Sequence, residues 1–154
     1  MAFTLRVALD RIVTVEEGLV ITDPEALEIA RVYKYIPDAN STPEAPCFMH
    51  SFALSSVEHF PNQARKRLYV VRSQFWSGNP NKDRAADICA AFLAEWVDAF
   101  SNDLTLDGAC TGPIVFRGST PSTLVDLEYG GTHSIGLELF IDVPMGPEGV
   151  TVGP

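Results

Sequence analysis

The sequence contains few of the features that mark secreted or membrane-spanning proteins. Only three of its 154 residues are cysteines, and none are spaced as C-x-x-C, which excludes a disulfide scaffold and predicts reduced, mostly buried thiols. No apolar run approaches the roughly 18 residues that a transmembrane helix requires. Charged residues at positions 6, 10 and 11 interrupt the N-terminal apolar stretch before the core of a signal peptide can form. We therefore expect a chain that is made in the cytoplasm and has no membrane partner.

Basic residues are also scarce. Eleven lysines and arginines face 20 aspartates and glutamates, and the net charge of -9 opposes non-specific binding to nucleic acid, because phosphates must be neutralised by basic side chains. Four of the basic residues lie in one short stretch, as Arg65, Lys66, Arg67 and Arg72. Such a cluster is typical of a solvated strand end or of an ion-pairing contact with an acidic partner. Arginine outnumbers lysine eight to three, which favours association because arginine is enriched at protein interfaces.

The remaining composition suits one globular domain that spans 1–154. Apolar residues form 46% and charged residues 20% of the chain, and a chain of this length can bury roughly 70% of the surface that its unfolded form exposes. Apolar residues at helical spacing predict one helix over 5–19 and a second over 82–100. Glu16 and Glu17 are interpreted as the solvated end of the first helix.

Alternating and extended apolar patterns predict a series of strands. The expected strands are at 27–36, 47–54, 65–76, 104–106, 113–116, 124–129 and 134–143, with an additional short one at 19–22. The proline-bearing stretch 37–46 is predicted to be a loop, 59–64 a break and Gly130-Gly131 a hairpin turn. The segment 144–154 contains three prolines and three glycines and is expected to be an extended or frayed arm. These elements predict an α+β fold, with one largely antiparallel, mixed sheet and two helices packed on one face.

No motif for catalysis, metal binding or cofactor binding emerges from the residues. Cys47 and His50 are three residues apart in an extended stretch, so their side chains are expected on opposite faces, where they could not share a metal ion. The glycines of LDGACTGP do not match a nucleotide-binding loop. A cysteine nucleophile is conceivable at Cys110, the one thiol with a predicted exposed position, if His59 or His133 folds back onto it. We therefore expect no catalytic residue, no metal and no cofactor.

Three aromatic residues of the predicted strands remain outside the expected core, namely Tyr33, Tyr35 and Phe140. They either cover a second face of the core or belong to an interface. The candidate protein-interface residues are these three aromatics together with the four residues of the basic stretch.

The order of elements from Asp83 to Met145 resembles that of the tail-terminator, or tail-completion, proteins of long-tailed bacteriophages. The resemblance lies in an amphipathic helix ending in WVDAFSNDLTLDGAC, a short strand PIVFRG and the stretch LVDLEYGGTHSIGLELFIDVPM. Upstream, IARVYKYIPDANSTPEAPCFMHSF is similar to the family's strand, proline-bearing loop and second strand. The YGG-x-x-x-x-G-hydrophobic stretch is the part of the likeness that approaches a motif.

The resemblance implies a virion structural protein that caps the tail tube as a ring, usually of six copies, and presents the surface to which the filled head attaches. Its partners would be copies of itself, the tail tube protein and a head-side connector or neck protein. DNA would pass through the lumen of the ring without specific binding. The family confers no catalytic residues, and the implied location is the head-tail junction of the virion.

Three other interpretations stay open at this point. The chain could be another neck or minor tail protein of the head-tail interface, which the sequence does not separate from a tail terminator. A small Cys-dependent hydrolase predicts a pocket that holds the Cys110 thiol beside a histidine. A monomeric ligand-binding α+β domain predicts a closed apolar cavity.

Overall fold

A computed structural model describes residues 4–38, 40–59, 65–116 and 123–146, which form two helices and eight strands. In chain order these are α1 (Leu5–Glu17), β1 (Val20–Ile21), β2 (Leu27–Glu28), β3 (Arg31–Tyr33), β4 (Cys47–His59), β5 (Arg65–Trp76), α2 (Lys82–Ser101), β6 (Val115–Phe116), β7 (Thr123–Tyr129) and β8 (Thr132–Met145). The predicted α+β class is confirmed.

Six of the strands form one mixed sheet in the order β3-β4-β5-β8-β6, and β7 also pairs with β8. The β3–β4 pair is parallel, whereas the other neighbouring pairs are antiparallel. The long strand β8 pairs with β5 on one side and with β6 and β7 on the other. Strands β1 and β2 form a separate two-stranded antiparallel sheet, which confirms the additional strand expected at 19–22.

Both helices pack on the same face of the large sheet. Phe48 of β4 and Phe75 of β5 are cross-strand partners and point to one side. The ring of Phe75 lies 4.9 Å from that of Phe92 in α2. Leu9 and Ile12 of α1 are buried in the same cluster. One continuous apolar core therefore lies between the sheet and the helix layer.

The helices begin at side chains that cap them. Thr4 accepts a hydrogen bond from the backbone N–H of Val7, and Asn81 accepts one from Arg84, which satisfies donors that the first turn leaves unpaired. Helix α2 confirms the prediction for 82–100 almost to the residue. Its buried side is narrower than expected, because Val97 is 36% exposed.

The predicted strand at 27–36 is divided in two. Residues 27 and 28 pair with β1, whereas β3 pairs with the start of β4. Between them the backbone N–H of Ala30 donates to the carbonyl of Pro46 at 2.8 Å. The chain thus changes its pairing partner within a stretch whose alternating pattern is continuous, and periodicity alone does not reveal such a change.

The prediction of a strand at 104–106 is wrong. This segment forms turns in which Leu106 and Asp107 adopt positive φ angles of 51° and 55°, and the Asp103 carboxylate accepts the N–H of Asp107 at 2.8 Å. The turn directs the fully buried Leu106 side chain into the core. The turn at Gly130-Gly131 is confirmed, with φ angles of 59° and 77° that suit a tight hairpin.

Two strands are longer than predicted. Strand β4 continues beyond residue 54 to His59, and β8 includes Pro144 and Met145, both of which are buried. The expected arm therefore does not begin at residue 144, and its remainder from 147 lies outside the described residues, as do residues 60–64 of the expected break. In the described part of the chain, neither helix is long and apolar enough to cross a membrane.

Candidate protein interface

The outer half of the β4–β5 pair is not covered by the helices. Strand β3 pairs only with residues 47–49 of β4, and from Phe52 onward every residue of β4 is exposed. On the described part of the chain, no strand pairs with the outer edge of β4 beyond Met49. Unpaired strand edges and exposed sheet faces are common sites of protein association.

This outer half carries large apolar side chains on the side of the sheet that faces the helices. Phe52 and Leu54 are the cross-strand partners of Val71 and Tyr69, and Val71 is fully buried in the core. Phe52 and Leu54 are nevertheless 51% and 52% exposed. The register shifts between Leu54 and Ser56, and this irregularity keeps the 39% exposed Val57 on the same side.

Three of the predicted basic residues lie at the end of this outer half. Arg65, Lys66 and Arg67 are exposed, and they pair with His59, Glu58 and Val57 in that order. Because side chains alternate along a strand, Arg65 and Arg67 share the side of Val57, whereas Lys66 and Glu58 point to the other side. We call the surface formed by Phe52, Leu54, Val57, Arg65 and Arg67 the hairpin face.

The fourth predicted basic residue, Arg72, does not belong to this surface. It points to the opposite side of the sheet and is partly buried, and its Nε donates to Ser51 Oγ at 2.9 Å. Its Nη1 lies 3.5 Å from Glu138 Oε2. Arg72 thus binds residues of its own chain, and the prediction of a single cluster of four basic residues is corrected to three.

The structure does not unite the three predicted aromatics in one exposed patch. Tyr33 is half-buried against a small second cluster on the far side of the sheet, and its hydroxyl accepts the backbone N–H of Glu44 at 3.1 Å. Phe140 of β8 is also half-buried. Tyr35 is 50% exposed, but it lies in a bend after β3 and not on a strand. Of the two interpretations, a second covered face of the core applies to Tyr33.

The interior contains a polar cluster that was not predicted from the sequence. Glu16 of α1 is fully buried, although it was expected on a solvated helix end. Its Oε1 lies 2.6 Å from His50 Nε2, and its Oε2 accepts Ser73 Oγ at 2.7 Å and Trp96 Nε1 at 2.8 Å. The spacing in the sequence does indicate that Glu16 is buried, since it follows the buried Ile12 by four residues on the same side of the helix.

The two ring nitrogens of His50 face acceptors. Nδ1 lies 2.8 Å from the carbonyl oxygen of Tyr33, and Nε2 faces the Glu16 carboxylate. Burial of the ring opposes protonation, but the charge of Glu16 and the hydrogen bonds to Glu16 and the backbone outweigh it and raise the pKa of His50 above its ordinary value of 6.5. A protonated ring donates to both acceptors, so the geometry favours a buried imidazolium–carboxylate pair.

This cluster contains a serine, a histidine and a carboxylate, but its hydrogen bonds run in an order unsuited to nucleophilic catalysis. The Ser73 hydroxyl donates to Glu16, and His50 also binds Glu16, so the imidazole is not positioned to accept the serine proton. His50 and Ser73 are each 1% exposed, and no substrate could reach them. The cluster instead links both helices to β4 and β5.

The cysteines have no reactive environment. Cys47, Cys89 and Cys110 are free and buried, which corrects the predicted exposed position of Cys110. Burial raises the pKa of each thiol to about 12, so the nucleophilic thiolate is scarce at neutral pH. Cys47 and His50 do point to opposite faces of β4, as expected, because their partners Trp76 and Ser73 are three residues apart on β5.

The third histidine lies at the surface, in a small depression of about 110 Å³ beside Asn79 and Lys82. His133 lies 3.3 Å from Glu128 and 3.7 Å from Asp126. None of the described residues that line this depression is a cysteine. Across the described ranges, no group of three or more histidine, cysteine or acidic side chains could hold a metal ion.

Comparisons with known proteins do not add a family to these observations. No protein-family model matches the chain, and no curated protein sequence matches it.

Proposed function

We propose that this chain is a virion structural protein of a long-tailed bacteriophage, which caps the tail tube as a ring and forms the surface that joins the head. The observation that supports this best is the hairpin face, on which Phe52 and Leu54 are half exposed beside Arg65 and Arg67. Large apolar side chains rimmed by charge are typical of a surface that binds another protein. The proposed location is the head-tail junction.

The order of the elements is consistent with this proposal. A strand, a proline-bearing loop, a long strand pair, an amphipathic helix and a final hairpin follow one another, as in the resemblance described for the sequence. The hairpin turn of the YGG stretch joins β7 to β8. The proposed partners are further copies of the chain, the tail tube protein and a head-side connector or neck protein.

The charge of the chain suits a ring through which DNA passes. A net charge of -9 for each copy, repeated around a ring, would repel phosphates from the wall of the lumen. DNA would then move through the lumen without specific binding. Lysine and arginine side chains lining the lumen of the assembled ring would contradict this part of the proposal.

Electron microscopy of phage particles made without this protein tests the proposed function. We expect tails that are overlong or that fail to join filled heads, and we expect normal particles when the wild-type chain is supplied in trans. Tails of normal length that still do not join heads would favour another neck protein of the head-tail interface. Normal, joined particles would exclude both assignments.

The alternative of a Cys-dependent hydrolase gains no support from the site. Cys110 is 5% exposed and burial raises the pKa of its thiol to about 12, whereas a nucleophilic cysteine requires an accessible thiolate. The Cys110→Ala variant provides the test, because a hydrolase would lose its activity whereas a tail terminator would still complete particles.

A further inference from the structure

The hairpin face continues the surface on which the protein's own helices pack. Phe52 is level with Val71 and Ile141, both fully or almost fully buried beneath the helix layer. At Phe52 and Leu54 that layer has ended, and the same side of the sheet is open. An apolar sheet face of this kind is stabilised when a helix covers it. The geometry therefore indicates a helix as the missing cover.

The outer side of α2 has the matching properties. Five residues of α2 are exposed at helical spacing, namely Asp87, Ala90, Ala94, Val97 and Asp98. The first four follow one another at intervals of three or four residues, and Asp98 directly follows Val97. Residues at this spacing lie on one side of a helix. Neither Asp87 nor Asp98 forms an ion pair with another residue of the described chain. We call this acidic and apolar surface the helix face.

The two faces are complementary in charge and in apolar character. The hairpin face carries Arg65 and Arg67 beside its apolar residues, and the helix face carries two aspartates beside Val97. Opposite charges at the rim of an apolar contact set its orientation and accelerate encounter. The small Ala90 and Ala94 side chains leave room for Phe52 and Leu54 to approach the helix.

We propose that the hairpin face of one copy packs on the helix face of a second copy of this chain. The two faces are different surfaces of the same chain, so the contact is head-to-tail, and it builds a ring when the rotation between neighbouring copies closes. The inference rests on the proposed ring and identifies the contact that builds it. The neighbour's α2 thereby extends the helix layer across the uncovered part of the sheet.

Charge reversal tests the contact in the full-length chain, with mass measured by light scattering over a range of concentrations. Arg67→Glu or Asp98→Arg alone should weaken association by roughly tenfold or more, and the double variant should recover much of the loss. Arg6→Glu and Glu17→Arg make the same changes of charge at exposed positions of α1 and should leave association unchanged. Equal effects of both sets would overturn the proposed contact.

Cross-linking tests the geometry independently. A chain with Leu54→Cys and Val97→Cys, treated with a short thiol cross-linker, should give a ladder of covalent oligomers, whereas each single variant should give no ladder. The native thiols are buried and should not contribute. An oligomer that forms no ladder with this pair would overturn the contact and leave the proposed ring standing. A chain that stays monomeric at every concentration would overturn both.

Nucleic acid is the competing occupant of the basic end of the hairpin. Duplex DNA that binds the wild-type chain but not the Arg67→Glu variant, with no change in protein mass, would overturn the proposal.

Discussion

The Glu16 carboxylate lies 2.6 Å from Nε2 of His50, and both side chains are fully buried between the sheet and the helix layer. Ser73 and Trp96 complete the coordination of the same carboxylate. Four elements, α1, β4, β5 and α2, meet at this one group. A buried charged pair of this kind is costly to desolvate, and its removal leaves polar groups without partners.

Replacing Glu16 should strongly destabilise the protein. The Glu16→Ala variant leaves the charge of His50 and the donors of Ser73 and Trp96 unpaired in the core, so we expect a loss of about 3–5 kcal/mol in the free energy of unfolding. The adjacent Glu17 is exposed, and Glu17→Ala should change the free energy by less than about 0.5 kcal/mol. Urea unfolding measures both variants. Similar losses for the two would show that Glu16 is not in the buried cluster.

The stability of the protein should depend on pH through His50. Its pKa is raised in the folded state, so the stability that protonation contributes is fully present below the unfolded-state pKa of 6.5 and is lost as pH rises through the higher folded-state pKa. The free energy of unfolding, measured by urea at a series of pH values, should therefore decrease as the pH rises through the folded-state pKa of His50.

Variants separate this effect from other titrating groups. His50→Gln should be less stable and should lose the decrease that accompanies deprotonation of His50, whereas the exposed His133→Gln should retain it. A decrease of the same size in His50→Gln would assign the pH dependence to another group.

Gly136 should not tolerate a side chain. A Cβ at this position of β8 would overlap the carbonyl oxygen of Phe75 on the neighbouring strand and press on Leu127. We expect Gly136→Ala to cost about 1–3 kcal/mol through overpacking. At Gly112 a Cβ would meet only Pro144, at an ordinary contact distance of 3.7 Å, so Gly112→Ala should be nearly neutral. Thermal unfolding of both variants distinguishes the two sites, and equal stability would refute the close approach at Gly136.

All three thiols should be unreactive in the folded protein. Burial raises their pKa to about 12, so a colourless disulfide reagent that releases a coloured thiol should react slowly at neutral pH and rapidly in urea, with three equivalents. Cys110→Ala should reduce the final count to two without changing the slow rate of the native chain. Fast reaction of one thiol in the native wild-type chain, lost in Cys110→Ala, would revive the interpretation of Cys110 as a nucleophile.

The elements with long and regular patterns were predictable. Strand β5 coincides with the predicted 65–76, and α2 differs from 82–100 by one residue, because the apolar residues of each element recur at the period of that element. The exchange of partners between β2 and β3 and the turns at 104–106 were not predictable, since they depend on which distant strand is adjacent. The strand was predicted because Leu106 is apolar, but Leu106 is buried although it lies in a turn.

The candidate site was predictable only in part. Arg65, Lys66 and Arg67 are exposed at a strand end, as the run of charge indicated. Arg72 is close to them in the sequence and was predicted to join them. The alternation of side chains along β5 instead places it on the other side of the sheet, where its guanidinium contacts Ser51 and Glu138. The exposure of Phe52 and Leu54 was not predicted, because an apolar residue in a strand is expected to face a core.

From local information alone, the chain determines an α+β layer, the ends of its main helix and the positions of its longest strands. These features follow from periodicity and capping, which act between residues near one another in the chain. Only the tertiary structure decided that Glu16 meets His50 in the interior, and that the helix layer ends before Phe52 and Leu54. Both outcomes depend on where the helices lie on the sheet and how much of it they cover. Contacts between residues far apart in the sequence set that position.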